Sequence, residues 1–364
     1  MRSLFLCFYA VLSLSTVYLS CKRSNSGSGG TINPPPVTKD TTFTNPLLTS
    51  GPDPYVVQKD SFYYYTHTSG DRVRLWRTTA MSQLGNAYSQ TAWTKPATGA
   101  NSQNIWAPEM HLLDGKWYIY YTAGSSAADL STQRLFVLEN TSADPLSGSW
   151  TDRGKLADQA ADYFAIDGSV FEYNSKRYLL WSGQASNLDN NQNIYIAPLQ
   201  NPWTLASGRT LLSSPQYSWE TNGYVLGGTP KVNEGPEIIK NPAGRVFLVY
   251  SASGCWTDDY ALGMLALKDG GDPLKPSDWT KNATPVFTKN EQSNAFGPGH
   301  NGFFVSPDGK ENWIIYHANP LTGQGCGDKR SPRMQKFTWN ADGTPRFGTP
   351  VPVNIPIAKL SGEK

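Results

Sequence analysis

The chain has little excess charge of either sign, few histidines or cysteines, and no apolar run long enough to dominate it. Its 364 residues carry 31 Lys and Arg against 29 Asp and Glu, a net charge of +2. No strong positive field is available to hold a polyanion, so no nucleic-acid partner is expected. The stretch from Leu4 to Ser20, preceded by Arg2, is too short and too poorly flanked for a stable membrane span. Residues 1–20 read instead as a secretory signal. Four His and four Cys include no cluster with zinc-like spacing. Amphipathic stretches of period 3.6 and good length are missing too, which argues against a helical solenoid.

The signal ends at Tyr18-Leu19-Ser20-Cys21, which resembles a bacterial lipoprotein processing site with Cys21 as the lipidated residue. Tyr18 departs from the usual Leu, and the alternative is plain cleavage nearby and a soluble product. Residues 21–42 have linker composition, with Ser and Gly up to Gly30 and then Pro34-Pro35-Pro36. They would tether a domain at 43–364 to the outer or periplasmic membrane, giving an exported periplasmic or cell-surface lipoprotein. A monomer is expected. Of the cysteines, only Cys255 and Cys326 fall inside the domain. They could pair in an exported protein, but their separation in sequence leaves the question open.

What the chain has in quantity is aromatic residues, 12% of the total, with 33 Gly and 26 Pro. Aromatics suit pleated strands, and Gly and Pro punctuate turns. Five segments share one pattern of apolar strand, hairpin turn and aromatic-rich strand. They begin at Asp53, Ala107, Asp167, Gly235 and His300, at intervals of 54 to 68 residues. Turn signals such as Asp114-Gly115, Asn174-Ser175 and Asp308-Gly309 follow, then strands such as Trp117-Tyr118-Ile119-Tyr120-Tyr121 and Trp313-Ile314-Ile315-Tyr316. Units of about 60 residues accommodate four-stranded blades, so the domain is expected to be all-β, a five-bladed β-propeller. The alternative is a sandwich of unrelated hairpins.

In a propeller the innermost strands surround the axis, so the first position of each unit predicts a ring. It contains Asp53, Trp106 with Ala107, Asp167, Glu234 with Gly235, and Gly299 with His300. Crowding acids in a desolvated place is costly, because like charges raise each other's pKa. The pattern therefore points to chemistry. Carboxyl groups flanking a small polar ligand, one protonated and one ionised, make the constellation of glycoside hydrolysis.

The motifs that carry these residues are Pro52-Asp53-Pro54-Tyr55, Trp106-Ala107-Pro108-Glu109, Ile166-Asp167-Gly168-Ser169, Asn233-Glu234-Gly235-Pro236-Glu237 and Gly297-Pro298-Gly299-His300-Asn301. In order and at blade spacing, they resemble the successive signatures of glycoside hydrolase family 43 from residue 45 to about 345. The resemblance implies Asp53 as general base, Glu234 as general acid and Asp167 as the residue that tunes and orients the acid. It implies inversion, with base and acid roughly 6.5–9.5 Å apart. It also implies that no cofactor is required for the chemistry.

By the same resemblance, His300 is an axial histidine that contacts a water-coordinated structural calcium ion. The plainer reading is a histidine that orders axial water. Trp106 is expected to stack on a sugar face, its alternative being core filler. Glu109 and Glu237, two residues along from the ring, are candidate substrate contacts by strand alternation. In Arg330-Ser331-Pro332-Arg333, which resembles a family segment supplying an arginine to the pocket, Arg333 is favoured over Arg330. His111 and His317 are expected to pack or cap, and His67 is left open. The stretch Ser251–Tyr260 resembles a segment of arabinofuranosidase members. The expected activity is release of L-arabinofuranose from plant cell-wall polysaccharides, with β-xylosidase, endo-arabinanase and a non-catalytic sugar-binding propeller as alternatives.

Overall fold

Hairpin pairs in which aromatic and β-branched residues alternate with turn residues build four-stranded sheets, and here five such sheets repeat. The computed structural model describes residues 41–364. The signal expected at 1–20, the lipidation site Cys21 and the tether up to residue 40 lie outside the described residues. Blade 1 is made of Tyr55–Lys59, Phe62–Thr66, Arg72–Thr78 and Tyr88–Thr94, each antiparallel to the next. Blade 2 follows with Gln103–Leu113, Lys116–Gly124, Arg134–Asn140 and Thr151–Leu156.

Blade 3 has Ala165–Tyr173, Lys176–Gly183 and Asn193–Asn201, and its outer edge is split between Thr204–Leu205 and Thr210–Ser213. Blade 4 runs through Asn233–Lys240, Val246–Ala252, Ala261–Leu267 and Trp279–Lys281. Blade 5 is Phe296–Val305, Asn312–Asn319, Ser331–Trp339 and Pro345–Arg346. The expectation of a five-bladed propeller is met.

A sheet with two apolar faces must bury both, and the blades do so against each other. One buried cluster lies at each junction, for example Tyr64, Ile105, Met110, Trp117 and Ile119 between blades 1 and 2. Another joins Phe247, Val249 and Met264 of blade 4 to Ile314, Tyr316 and Phe337 of blade 5. The ring is closed by its ends. Thr42–Phe43 pairs with Ile357–Ala358, and the buried Asn45 side chain exchanges two hydrogen bonds with the Met334 backbone of blade 5 (2.9 and 3.0 Å).

The innermost strands share a further feature. Asp53, Ala107, Asp167, Gly235 and His300, one per blade, all have left-handed backbone, with φ of 57°, 41°, 58°, 55° and 50°. That region is costly for residues other than Gly, so surrounding contacts must enforce it. Each of these residues donates its backbone N–H to a side chain of the preceding blade: His317 Nδ1 (3.0 Å), Thr68 Oγ1 (2.7 Å), Thr122 Oγ1 (3.2 Å), Asp167 Oδ2 (2.9 Å) and Ser251 Oγ (2.8 Å) respectively. This belt turns the start of every inner strand towards the axis on one face of the propeller, and there the site is built.

Candidate active site

A cavity of about 360 Å³ opens at that face, lined by Asp53, Trp106, Asp167, Glu234, His300 and Arg330. That size suits a small ligand. Thr68, Leu130, Phe164, Ile166, Gln192, Cys255, Trp256 and Cys326 complete the lining. The three acids and Trp106 picked out from the sequence are thus brought together. In blades 2 and 4 the cavity side chain, Trp106 or Glu234, sits one residue before the left-handed position.

Asp53 is wrapped in cationic and hydroxyl groups. Its Oδ1 accepts from Arg330 Nη1 at 2.8 Å and its Oδ2 from Thr68 Oγ1 at 2.6 Å. The His300 and His317 Nδ1 atoms lie 3.4 and 3.5 Å from Oδ1. Burial alone would raise the carboxyl's pKa, but Arg330, the two imidazoles and Thr68 outweigh it and hold Asp53 well below the usual carboxylate range. Both imidazoles are themselves pushed down by burial, and the His317 Nδ1 already accepts from the Asp53 N–H. Arg330 is therefore the charge that keeps Asp53 ionised.

Glu234 has the opposite setting. Burial is the largest influence and raises its pKa to about 7, with the Asp53 charge adding to the rise. A hydrogen bond from the Tyr260 hydroxyl to Oε1 (2.8 Å) holds it back. Asp167 is also raised, first by burial and then by the charges of Glu234 and Asp53. It accepts the N–H of Gly235, the residue after Glu234, so it is tied to the backbone that carries that acid. One carboxyl ionised and another protonated near neutrality, both facing one cavity, is what acid–base chemistry on a small polar ligand requires.

Several expectations need correction. Arg333 does not line the cavity; it is fully buried on the sheet face of its strand partner Tyr316, which packs at the junction of blades 4 and 5, and its Nη2 donates to Ala318 O at 3.5 Å. Strand alternation turns it into the blade, and Arg330, in the turn before that strand, supplies the arginine. Glu109 and Glu237 do not line the cavity either. They lie deeper along the axis in a second layer, where Ser169 Oγ donates to Glu237 Oε2 (2.9 Å) and Glu109 Oε2 sits 3.2 Å from His111 Nε2. Burial raises both carboxyls, Glu109 to about 8, and Glu109 raises Glu237 further.

His317, expected only to pack or cap, is a direct support of Asp53. Its ring also lies parallel to that of Tyr260 at 5.8 Å. His67 packs against Trp76 at 4.7 Å. Thr68 is not among the expected site residues, Tyr260 enters there only as the end of a family-like stretch, and Arg330 ranks behind Arg333; all three lie in or beside loops. Among the described residues no group of three or more His, Cys, Asp or Glu could hold a metal ion. His300 offers one imidazole beside a carboxylate already engaged by Arg330, whereas calcium takes six to eight oxygens; these residues do not form a calcium cage. Cys255 and Cys326 are joined in a disulfide.

A five-bladed propeller with acids of opposed ionisation around an axial cavity defines a class of sugar-cleaving enzymes, and comparison with known proteins agrees. The model of glycosyl hydrolases family 43 matches residues 43–345. The chain belongs to this family and is a glycoside hydrolase. It is 43% identical over 334 residues to an extracellular exo-α-(1→5)-L-arabinofuranosidase of Streptomyces avermitilis, covering 90% of this chain and 67% of that protein. Identity to α-L-arabinofuranosidase 43 of Humicola insolens is 40%, over 85% of this chain and 64% of the relative. The chain thus spans about two thirds of the length of these relatives. The crystal structure of an α-L-arabinofuranosidase from Lactobacillus brevis superposes with a TM-score of 0.80 at 38% identity, covering 86% of this chain and 98% of that one.

Proposed function

We propose that the protein is an exported, inverting α-L-arabinofuranosidase that removes arabinofuranose from the ends of plant cell-wall polysaccharides or oligosaccharides. The observation that carries this reading is the pairing of a depressed Asp53 with a raised Glu234 on one cavity. Asp53 is the general base that activates water, and Glu234 is the acid that protonates the leaving oxygen. Asp167 orients Glu234 by accepting the N–H of Gly235, the residue that follows the acid. Trp106 packs on the sugar. The arabinofuranosidase names of the relatives described above support the choice of sugar.

Export is supported by the disulfide, which persists in oxidising compartments, and by the extracellular Streptomyces relative. A lipid anchor at Cys21 and a monomeric state complete the reading. A calcium ion beside His300 would take one imidazole and otherwise water, and no step of the reaction passes through it. The test is a screen of nitrophenyl arabinofuranoside, xyloside and galactoside, then linear and branched arabinan. Arabinofuranoside is expected to be cleaved fastest, with Asp53→Asn and Glu234→Gln each losing roughly 10²–10⁴-fold in turnover. Preference for xyloside, oligosaccharide products from arabinan, or undiminished turnover in both variants would overturn it.

A further inference from the structure

The disulfide does more than join two distant segments, because both of its cysteines line the catalytic cavity together with Trp256. Three loops meet there: 218–229, 253–260 and 320–330. The first two are knitted by Ser253 N to Glu220 O (3.2 Å) and Gly254 N to Asn222 O (3.0 Å). The second and third are joined by Cys255–Cys326 and by Asp258, which accepts from Gly323 N (2.9 Å) and from the Thr322 hydroxyl.

Trp256 sits where they converge, its indole Nε1 donating to Gly223 O at 3.1 Å. Its seat is cut from missing side chains. A Cβ at Gly254 would fall 2.2 Å from Trp256 Cε2, and one at Gly223 2.5 Å from Nε1. Such contacts are far inside van der Waals distance, so one orientation of the ring is specified. The third loop then continues from Cys326 through Gly327 to Arg330. Arg330 donates from its backbone N and its Nε to Gly327 O (3.3 and 3.2 Å) and from Nη1 to Asp53.

We propose that Trp256 and the Cys255–Cys326 disulfide form a sugar-facing wall of the cavity, a specificity element for a terminal arabinofuranosyl residue, and that the disulfide fixes the turn from which Arg330 reaches Asp53. This rests on the arabinofuranosidase reading above. The chemistry is complementary. Asp53, Asp167 and Glu234 offer partners for the reacting centre and the hydroxyls, while an indole and two polarisable sulfurs offer a surface for the C–H face of a furanose ring. A disulfide serving stability alone would have no reason to face the ligand.

The experiment measures kcat and KM on nitrophenyl α-L-arabinofuranoside for the wild type, Trp256→Ala, Trp256→Phe and the double variant Cys255→Ser/Cys326→Ser, with melting temperature recorded in parallel. Trp256→Ala is expected to raise KM roughly tenfold with kcat changed much less, the signature of lost binding common to ground and transition states. Trp256→Phe should recover most of that loss. The double variant should lower kcat/KM roughly tenfold through the loosened Arg330 turn, as should dithiothreitol treatment of the wild type. Wild-type KM in Trp256→Ala, or a double variant that loses melting temperature but keeps kcat/KM, overturns the proposal. Should the double variant not fold, the two Trp256 variants decide alone. A wild type that releases no arabinose would overturn the arabinofuranosidase reading itself, a result distinct from these.

Discussion

Replacing Arg330 with Met separates the role of this residue in charge from any role in shape. The guanidinium and the Asp53 carboxyl are both about nine-tenths buried and in contact at 2.8 Å. Two unit charges whose centres lie about 4 Å apart in such surroundings interact by roughly 4 kcal/mol. One pH unit corresponds to about 1.4 kcal/mol, so the full effect would approach three units, and solvent entering through the open cavity reduces it to about two. The sign follows from the role of the group. Asp53 has a depressed pKa, and in the role of base proposed for it would work only when ionised, so activity is expected to be lost as pH falls through that pKa. Without Arg330, burial is opposed only by Thr68 and two largely neutral imidazoles, and the loss begins at higher pH.

The assay is kcat/KM for nitrophenyl arabinofuranoside from acid to neutral pH. The acid limb of Arg330→Met should move up by about two units, and that of Arg330→Lys much less. An acid limb that stays in place, with the rate lowered equally at every pH, would refute the electrostatic argument and leave Arg330 a binding residue only.

Other outcomes follow from the same geometry. Tyr260→Phe removes the donor that favours ionised Glu234. The basic limb of the profile, expected near 7 in the wild type, should therefore rise, by about one to two units for a hydrogen bond to a charged group; a fall would contradict the assignment of Glu234 as the acid. Glu109→Gln should stabilise the fold at alkaline pH. The Glu109 carboxyl is raised to about 8 in the fold but ionises near the ordinary value when unfolded. The wild type thus loses stability as pH rises from that ordinary value towards 8, and glutamine escapes this. The melting temperature of the variant should exceed the wild type at pH 8.5 and match it at pH 4; equal melting at both would show that Glu109 is not held protonated.

The fold was legible in the sequence because a propeller repeats. Each blade needs the same left-handed entry residue, and Asp53, Asp167 and His300 occupy it outright. Trp106 and Glu234 were found one place earlier because the blade motif is short enough to keep register. Arg330 was missed in favour of Arg333 because the residue that matters sits in a turn, where no alternation rule applies. Arg333 lies in a strand whose pairing with Tyr316 points it inward. Alternation placed Glu109 and Glu237 on the axial side but gave no depth, so a second layer was mistaken for the ligand layer. The roles of His317 and Tyr260 were not legible because His317 supports Asp53, 264 positions away, and Tyr260 reaches Glu234 from a loop 26 residues on, and neither contact leaves a local pattern. The disulfide depended on two loops meeting in space, which spacing alone could not indicate.

The account stands on Asp53 delivering water from one side of a sugar while Glu234 protonates the leaving oxygen from the other. Proton NMR of the first-formed sugar during hydrolysis of an α-L-arabinofuranoside reads this directly. The account predicts that β-L-arabinofuranose appears first and only later equilibrates. Initial release of the α anomer would mean a covalent intermediate and would contradict it.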